Sequence, residues 1–147
     1  MDLRIIEYQS DAYKEMVELR MDVLRRPLGL FFTEEQLARE KDDILIGAFE
    51  NEKMIGCCVL TPHNEDIIHL RQMAVKEDSQ VKGIGKTIIS FAEQTMIRTG
   101  YTLLMMHARK TALGFYQKCG YEIKGDEFTE VGIPHHYMEK KLSSIKK

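Results

Sequence analysis

Apolar positions change period along this chain, and the changes mark its elements. Residues 3–8, Leu-Arg-Ile-Ile-Glu-Tyr, read as a short strand. Tyr13, Met16, Val17, Met21 and Leu24 then recur at helical spacing, with Arg20 on the same stripe, so a helix runs to about Arg25. Ser10 suits its N-cap, Asp11 and Glu15 its first turn, and Pro27 and Gly29 stop it. Thr33 and Gln36 have capping-box spacing and open a short helix over 34–39. Two apolar runs, 44–49 and 54–60, flank the polar turn Glu50-Asn-Glu-Lys53, which predicts a hairpin ended by Pro62. A turn at 63–66 leads into a strand over 67–75.

Past Gly83 the period returns to that of a helix. Ile84, Ile88, Phe91, Ala92, Thr95 and Met96 form its stripe, and Gly100 is its C′ residue. A strand over 101–107, a helix over 110–119 ended by Gly120, and a last hairpin from 121–125 to 135–142 complete the chain. The order β-α-α-β-β-β-α-β-α-β-β mixes hairpins with two strand–helix units. It predicts an α/β (α+β) fold: a mixed, mostly antiparallel sheet with helices on both faces, in a single domain over 1–147.

Composition narrows the function classes. The chain has 147 residues, 44% hydrophobic and 30% charged, with a net charge of −2. That is enough for a full core, and dispersed Lys and Arg give no nucleic-acid footprint. No apolar run reaches membrane-spanning length, and the first residues lack the apolar core of a signal peptide. Three cysteines, two of them adjacent at Cys57-Cys58, do not make a disulfide framework, so a reducing cytoplasm is the simpler setting. Cys57 and Cys58 point to opposite faces of their strand and read as small buried hydrophobes. The apolar loop 26–32 has two readings: a core plug between two helices, or a wall of an acceptor pocket.

The stretch from Ile67 to Glu93 carries the chemistry. A strand ending at Val75 leads to Gln80-x-x-Gly83-x-Gly85 and then to a helix. Glycines at such a turn let the backbone approach a ligand, and the first helical N–H groups with the helix dipole favour an anion. Lys82 and Lys86 add charge, so the ligand should carry a phosphate or pyrophosphate. A P-loop would need glycine where Gln80 stands, and a dinucleotide fingerprint needs a third glycine. A P-loop-like nucleotide binder using Gly85-Lys86-Thr87 therefore remains a weaker alternative.

With the strand Met73-Ala74-Val75 before it and the helix after it, this turn resembles motif A of the GNAT superfamily of acyl-CoA-dependent N-acetyltransferases. Phe115-Tyr116-x-Lys118-x-Gly120-Tyr121 resembles a second signature of that family. Phe128-x-Glu130-x-Gly132-Ile-Pro-His135-x-x-Met138 is similar to the ending of its small bacterial ElaA-like members. The resemblance implies an N-acetyltransferase using acetyl-CoA on a primary amine. In the family, the motif A strand splays from its neighbour and acyl-CoA lies in the gap. Gln80, Val81, Lys82, Gly83, Ile84, Gly85 and Lys86 would hold the coenzyme A pyrophosphate. The backbone at Met73, Ala74 and Val75 would pair with pantetheine and the acetyl carbonyl. Tyr116 would stand beside the thioester sulfur as general acid. Arg109 takes the place where many members hold a pantetheine-binding asparagine.

One departure concerns the base. Histone-acetylating members carry a glutamate five residues before Ala74, where this chain has His69, whose imidazole can accept a proton near neutral pH. Glu65 and His135 are the other candidates, on the acceptor side. Strand alternation places His69 on one face with Arg71, Met73 and Val75, ~13 Å upstream of Met73, which suggests a relayed proton. Gly114 within a helix hints at close packing or close ligand approach. His63, His69, His107, His135 and His136 show no metal-ligand spacing, so no metal is expected. Expected partners are acetyl-CoA and an amine acceptor, with neither nucleic acid nor membrane, and a homodimer is compatible with this reading. The rival class is a non-catalytic acyl-CoA-binding or sensing domain on the same fold.

Overall fold

The computed structural model describes residues 1–79 and 81–142. Eight strands form a sheet in the order β1-β2-β3-β4-β5-β8-β6, with β7 paired to β8. They are β1 (Asp2–Ile6), β2 (Ile44–Glu50), β3 (Lys53–Pro62), β4 (Ile67–Val75), β5 (Leu103–Arg109), β6 (Glu122–Ile123), β7 (Phe128–Glu130) and β8 (Ile133–Lys141). The helices are α1 (Asp11–Arg20), α2 (Glu34–Ala38), α3 (Ile84–Thr99) and α4 (Leu113–Lys118). The mixed, mostly antiparallel sheet expected from the pattern is present. The chain divides into two compact units, residues 1–61 with 71–92, and 62–70 with 93–147.

In the first unit, β1 and β3 flank β2, both antiparallel. Asn51 and Glu52 turn the β2–β3 hairpin with φ of 51° and 64°, the left-handed pair that matches the twist of two-residue hairpins. Ser10 caps α1, its Oγ accepting the Tyr13 N–H at 3.2 Å. The helix continues through a π turn, Met21–Arg25, and a 3-10 turn, Arg26–Leu28, to Gly29 at φ 71°. The Thr33/Gln36 capping box forms at 3.0 and 2.9 Å and opens α2.

Both sheet faces of this unit carry a helix. Met16 and Leu19 of α1 pack with Ile6, Leu45, Cys57, Val59 and Ala74. Burying each such aliphatic side chain contributes about 1.5–3 kcal/mol. Gly56, next to Cys57 and so on the other face, is the contact for α3. A Cβ there would lie 2.7 Å from Ile88 Cδ1 and 2.8 Å from Ile84 Cγ2. Any side chain there would have to push Ile84 and Ile88 aside, so glycine lets α3 seat its first two turns close on β3.

The loop 26–32 is not a core plug at its tip. Phe31 is 70% exposed. Phe32 instead lies under two guanidinium groups, with Arg20 and Arg25 Cζ at 4.6 and 4.4 Å from its ring centre.

In the second unit, β5 pairs in parallel with the first half of β4 and antiparallel with β8, while β6 and β7 both pair with β8. The strand β7 lies within the segment read from sequence as a connection. It turns into β8 through Val131 and Gly132, at φ of 46° and 78°. A β-branched residue rarely takes that conformation, so the hairpin carries no sequence signal of its own. Near α4, Lys140 Nζ reaches both Glu93 carboxylate oxygens at 3.1 Å and the Cys119 carbonyl at 2.9 Å, and Tyr121 Oη donates to Glu93 at 2.8 Å. These bonds pin the loop after α4 and so hold the short helix that bears Tyr116.

Candidate functional site

The turn before α3 has the conformation its glycines suggest. Gly83 sits at φ 71°, and a Cβ there would meet nothing within 4 Å. Backbone conformation, rather than crowding by the protein, is what requires glycine. The Gly83 carbonyl accepts both the Thr87 N–H at 3.0 Å and the Thr87 hydroxyl at 2.9 Å, which anchors the first turn. Ile84, Gly85 and Lys86 follow, and the helix itself has no acceptors for their N–H groups. Ile84 is buried on the core side, whereas the Lys82 and Lys86 side chains are exposed. Val81 is half-buried and its N–H donates to Ser79 Oγ at 3.1 Å. Gln80 lies outside the described residues. The arrangement is a backbone cradle flanked by two ammonium groups, which fits a pyrophosphate.

Strand β4 enters this turn with a break in its regularity. Gln72 has φ 53° inside the strand, and its carbonyl receives the Cys57 thiol at 3.9 Å. A left-handed residue interrupts the two-residue alternation. The expected common face of His69, Arg71, Met73 and Val75 therefore cannot be carried through Gln72, and the ~13 Å spacing built on it lapses. Ala74 is buried in the core, with Met73 and Val75 half-buried beside it in sequence. The β4–β5 ladder runs from Ile67↔Leu103 to Leu70↔Met106. Burial pushes the Cys57 thiol up to about 12 and the Cys58 thiol well above its ordinary value, so both stay protonated and serve packing.

In the second unit, the Tyr116 ring is buried against Phe115 and Tyr121, at centroid distances of 5.0 and 6.1 Å, both edge-on. Arg109 ends β5, opposite His135 on β8. Burial lowers its pKa and the Glu130 carboxylate opposes that shift. The guanidinium remains charged, since arginine titrates far above neutrality. Gly114 faces open space, so protein packing does not explain it.

Of the acid–base candidates, His69 and His135 belong to one cluster and Glu65 does not. Glu65 sits exposed in the turn before β4, where Asn64 Oδ1 accepts the Asp66 and Ile67 N–H groups at 2.8 Å. The His69 ring lies 4.9 Å from that of His107. His107 Nδ1 is 2.9 Å from Glu130 Oε1. The other oxygen of Glu130 is 3.9 Å from His135 Nε2, and His135 Nδ1 donates to the Ile133 carbonyl at 2.9 Å. Phe128 closes the group, stacked on His135 and edge-on to His107. His107 and Glu130 were not among the sequence candidates. They meet because β7 and β5 lie on opposite sides of β8, a long-range register that no local spacing encodes. Among the described residues, no cluster of His, Cys, Asp and Glu is arranged to hold a metal ion, and no helix is long and apolar enough to cross a membrane.

Comparison with known proteins fits this geometry. The Bacillus subtilis protein YyaT is 40% identical over 74 residues, half of each chain. This chain spans about half the length of YyaT and of a second Bacillus subtilis relative. Among solved structures, Escherichia coli ElaA superposes with a TM-score of 0.80 at 15% identity, over 95% of this chain and 99% of its own. A GNAT family acetyltransferase of Elizabethkingia anophelis, crystallised with acetyl-CoA bound, gives 0.73 at 20% identity, over 96% and 97%. At these identities the structures establish a shared fold. The family model of the acetyltransferase (GNAT) domain matches residues 31–142. The chain belongs to the GNAT acetyltransferase domain family.

Proposed function

We propose that this chain transfers an acetyl group from acetyl-CoA to a primary amine as one functional domain over 1–147. The observation that carries the reading is the Gly83 turn. A left-handed glycine, a helix N-terminus and two exposed lysines form an anion cradle in a chain of this family. Backbone N–H groups from Val81 to Lys86 would hold the pyrophosphate, with Lys82 and Lys86 neutralising its charge. Backbone groups of Met73, Ala74 and Val75 would align the pantetheine and the acetyl carbonyl, and Arg109 would bind further along the pantetheine arm.

His69 takes a proton from the acceptor ammonium, leaving a neutral amine to attack the thioester carbon. The carbon–nitrogen bond forms, the carbon–sulfur bond breaks, the nitrogen gives up its second proton to solvent, and Tyr116 gives its hydroxyl proton to the leaving thiolate. Tyr116 regains a proton from solvent, and His69 releases the one it took. The net products are an amide, a free thiol and one proton. His135 lines the acceptor side, whereas Glu65, in its exposed turn, is the weaker candidate. Free, buried cysteines suit a reducing cytoplasm.

The test is amine-dependent release of free thiol from acetyl-CoA across a panel of primary amines, with Tyr116→Phe in parallel. The variant removes one hydroxyl and almost no volume. It should lose about 10²–10⁴-fold in turnover at unchanged acetyl-CoA affinity. A fully active variant would assign Tyr116 to packing alone. Acetyl-CoA binding without thiol release for any amine would favour a sensing domain.

A further inference from the structure

We propose that Glu130 and His107 are positioning residues for His69, forming with it a relay that carries the acceptor's proton away. The inference rests on the transferase reading above and adds two residues to it.

One carboxylate serves two imidazoles. Glu130 Oε1 takes the Nδ1–H of His107 at 2.9 Å, and Oε2 faces His135 Nε2 at 3.9 Å. The Ile133 carbonyl holds the His135 tautomer by accepting its Nδ1–H. With Nδ1–H of His107 committed to Glu130, Nε2 is the nitrogen left to exchange a proton. The His107 ring in turn packs on His69 at 4.9 Å, tilted by 48°. A carboxylate behind an imidazole raises its basicity and stabilises the imidazolium that forms. Glu130 fixes the His107 ring against His69, and a proton accepted at His69 leaves along this partly exposed row to solvent.

Several titratable groups surround this point. The groups facing His107 are His69 from β4, Glu130 from β7, and Tyr137 and His135 from β8, with Arg109 further along β5. Tyr137 is pushed up to about 12 by burial, with its hydroxyl bonded to Glu139, so it does not compete near neutrality. The side chains of His107 and Glu130 are 35% and 45% exposed, which gives the proton an exit. Glu127 is engaged elsewhere, by Lys110 at 3.1 Å and His136 at 3.6 Å.

Two measurements on the full chain test this. The first is an NMR titration of the histidine ring protons, with no substrate present, for the parent and Glu130→Gln. Glutamine keeps an acceptor oxygen for Nδ1–H and removes the charge. The His107 ring protons should titrate at lower pH in the variant. An unchanged His107 titration overturns the proposal whether or not any amine is turned over. The second is the pH profile of kcat/KM for the amine, for Glu130→Gln and His107→Phe. The acid limb should move to lower pH in Glu130→Gln with a lower plateau. His107→Phe should lose about 10-fold or more near neutrality and recover as pH rises. The KM for acetyl-CoA should not move in either. Profiles superimposable on the parent's would overturn the relay while leaving the transferase reading standing.

Discussion

Arg20 and Glu40 are sealed in the first unit, whereas Glu130 meets His107 and His135 near the surface of the second. The first cluster is closely bonded, with Arg20 Nε its one buried donor left without a hydrogen-bond partner among the described residues. Arg20 donates to both Glu40 oxygens at 2.9 and 2.6 Å, and the Tyr13 hydroxyl adds a third bond at 2.8 Å. Both charges are almost fully buried, which leaves the pair one favourable state. The second cluster joins a half-exposed carboxylate to two imidazoles. A buried charge pair with matched geometry fixes how α1 meets the segment after α2. A half-exposed one can exchange protons. Depth of burial, more than residue type, separates scaffold from chemistry here.

The comparison breaks most visibly at Glu40. Glu40→Ala leaves a buried guanidinium without its partner and should cost about 3–5 kcal/mol in denaturant unfolding. A loss below about 1 kcal/mol would mean that water reaches Arg20. Tyr13→Phe removes one hydrogen bond to the same carboxylate and should cost about 1.5–3 kcal/mol. Glu130→Ala, the same truncation made at the exposed cluster, should change stability by at most about 1 kcal/mol. If it matched Glu40→Ala, the two clusters would be alike and the contrast would fail.

The smallest effect is a pH dependence at Asp43. Burial raises its pKa, partly offset by the Thr61 hydroxyl at 2.9 Å and by Arg71. A carboxyl with a raised folded pKa contributes stability below its unfolded value, about 3.9, and that stability is lost as pH rises through the folded value. Asp43→Asn keeps an oxygen for Thr61 and cannot ionise. As pH rises from below about 3.9 the parent should lose stability relative to this variant, by a small amount. Parallel stability curves would show that the folded and unfolded carboxyls titrate alike.

The fold was legible in the sequence wherever its signal is local. The capping box at Thr33, the polar hairpin turn at Asn51 and the glycine turn at Gly83 each depend on a few neighbouring residues, and each stands where the pattern placed it. The helical stripe of α3 was readable too, although Ile89 is buried where Phe91 and Thr95 are only half-buried. Long-range geometry was not readable. Gly56 gives no sign in the sequence that a helix will lie on it, and Gly114, read as a sign of close packing or close ligand approach, faces open space, which removes the packing reading. The left-handed Gln72 undoes an alternation that the letters alone support. His107 and Glu130 stand 23 positions apart and meet only through the pairing of β5 and β7 with β8.

The most direct test of the account is calorimetric binding of acetyl-CoA to the parent and to Gly83→Val. Valine at a positive φ strains the backbone by about 1–2 kcal/mol without striking another part of the protein, so the fold should survive. The account predicts that the parent binds acetyl-CoA and that the folded variant binds at least about tenfold more weakly, because its turn can no longer present backbone N–H groups to the pyrophosphate. Equal affinity in a folded Gly83→Val protein would contradict it.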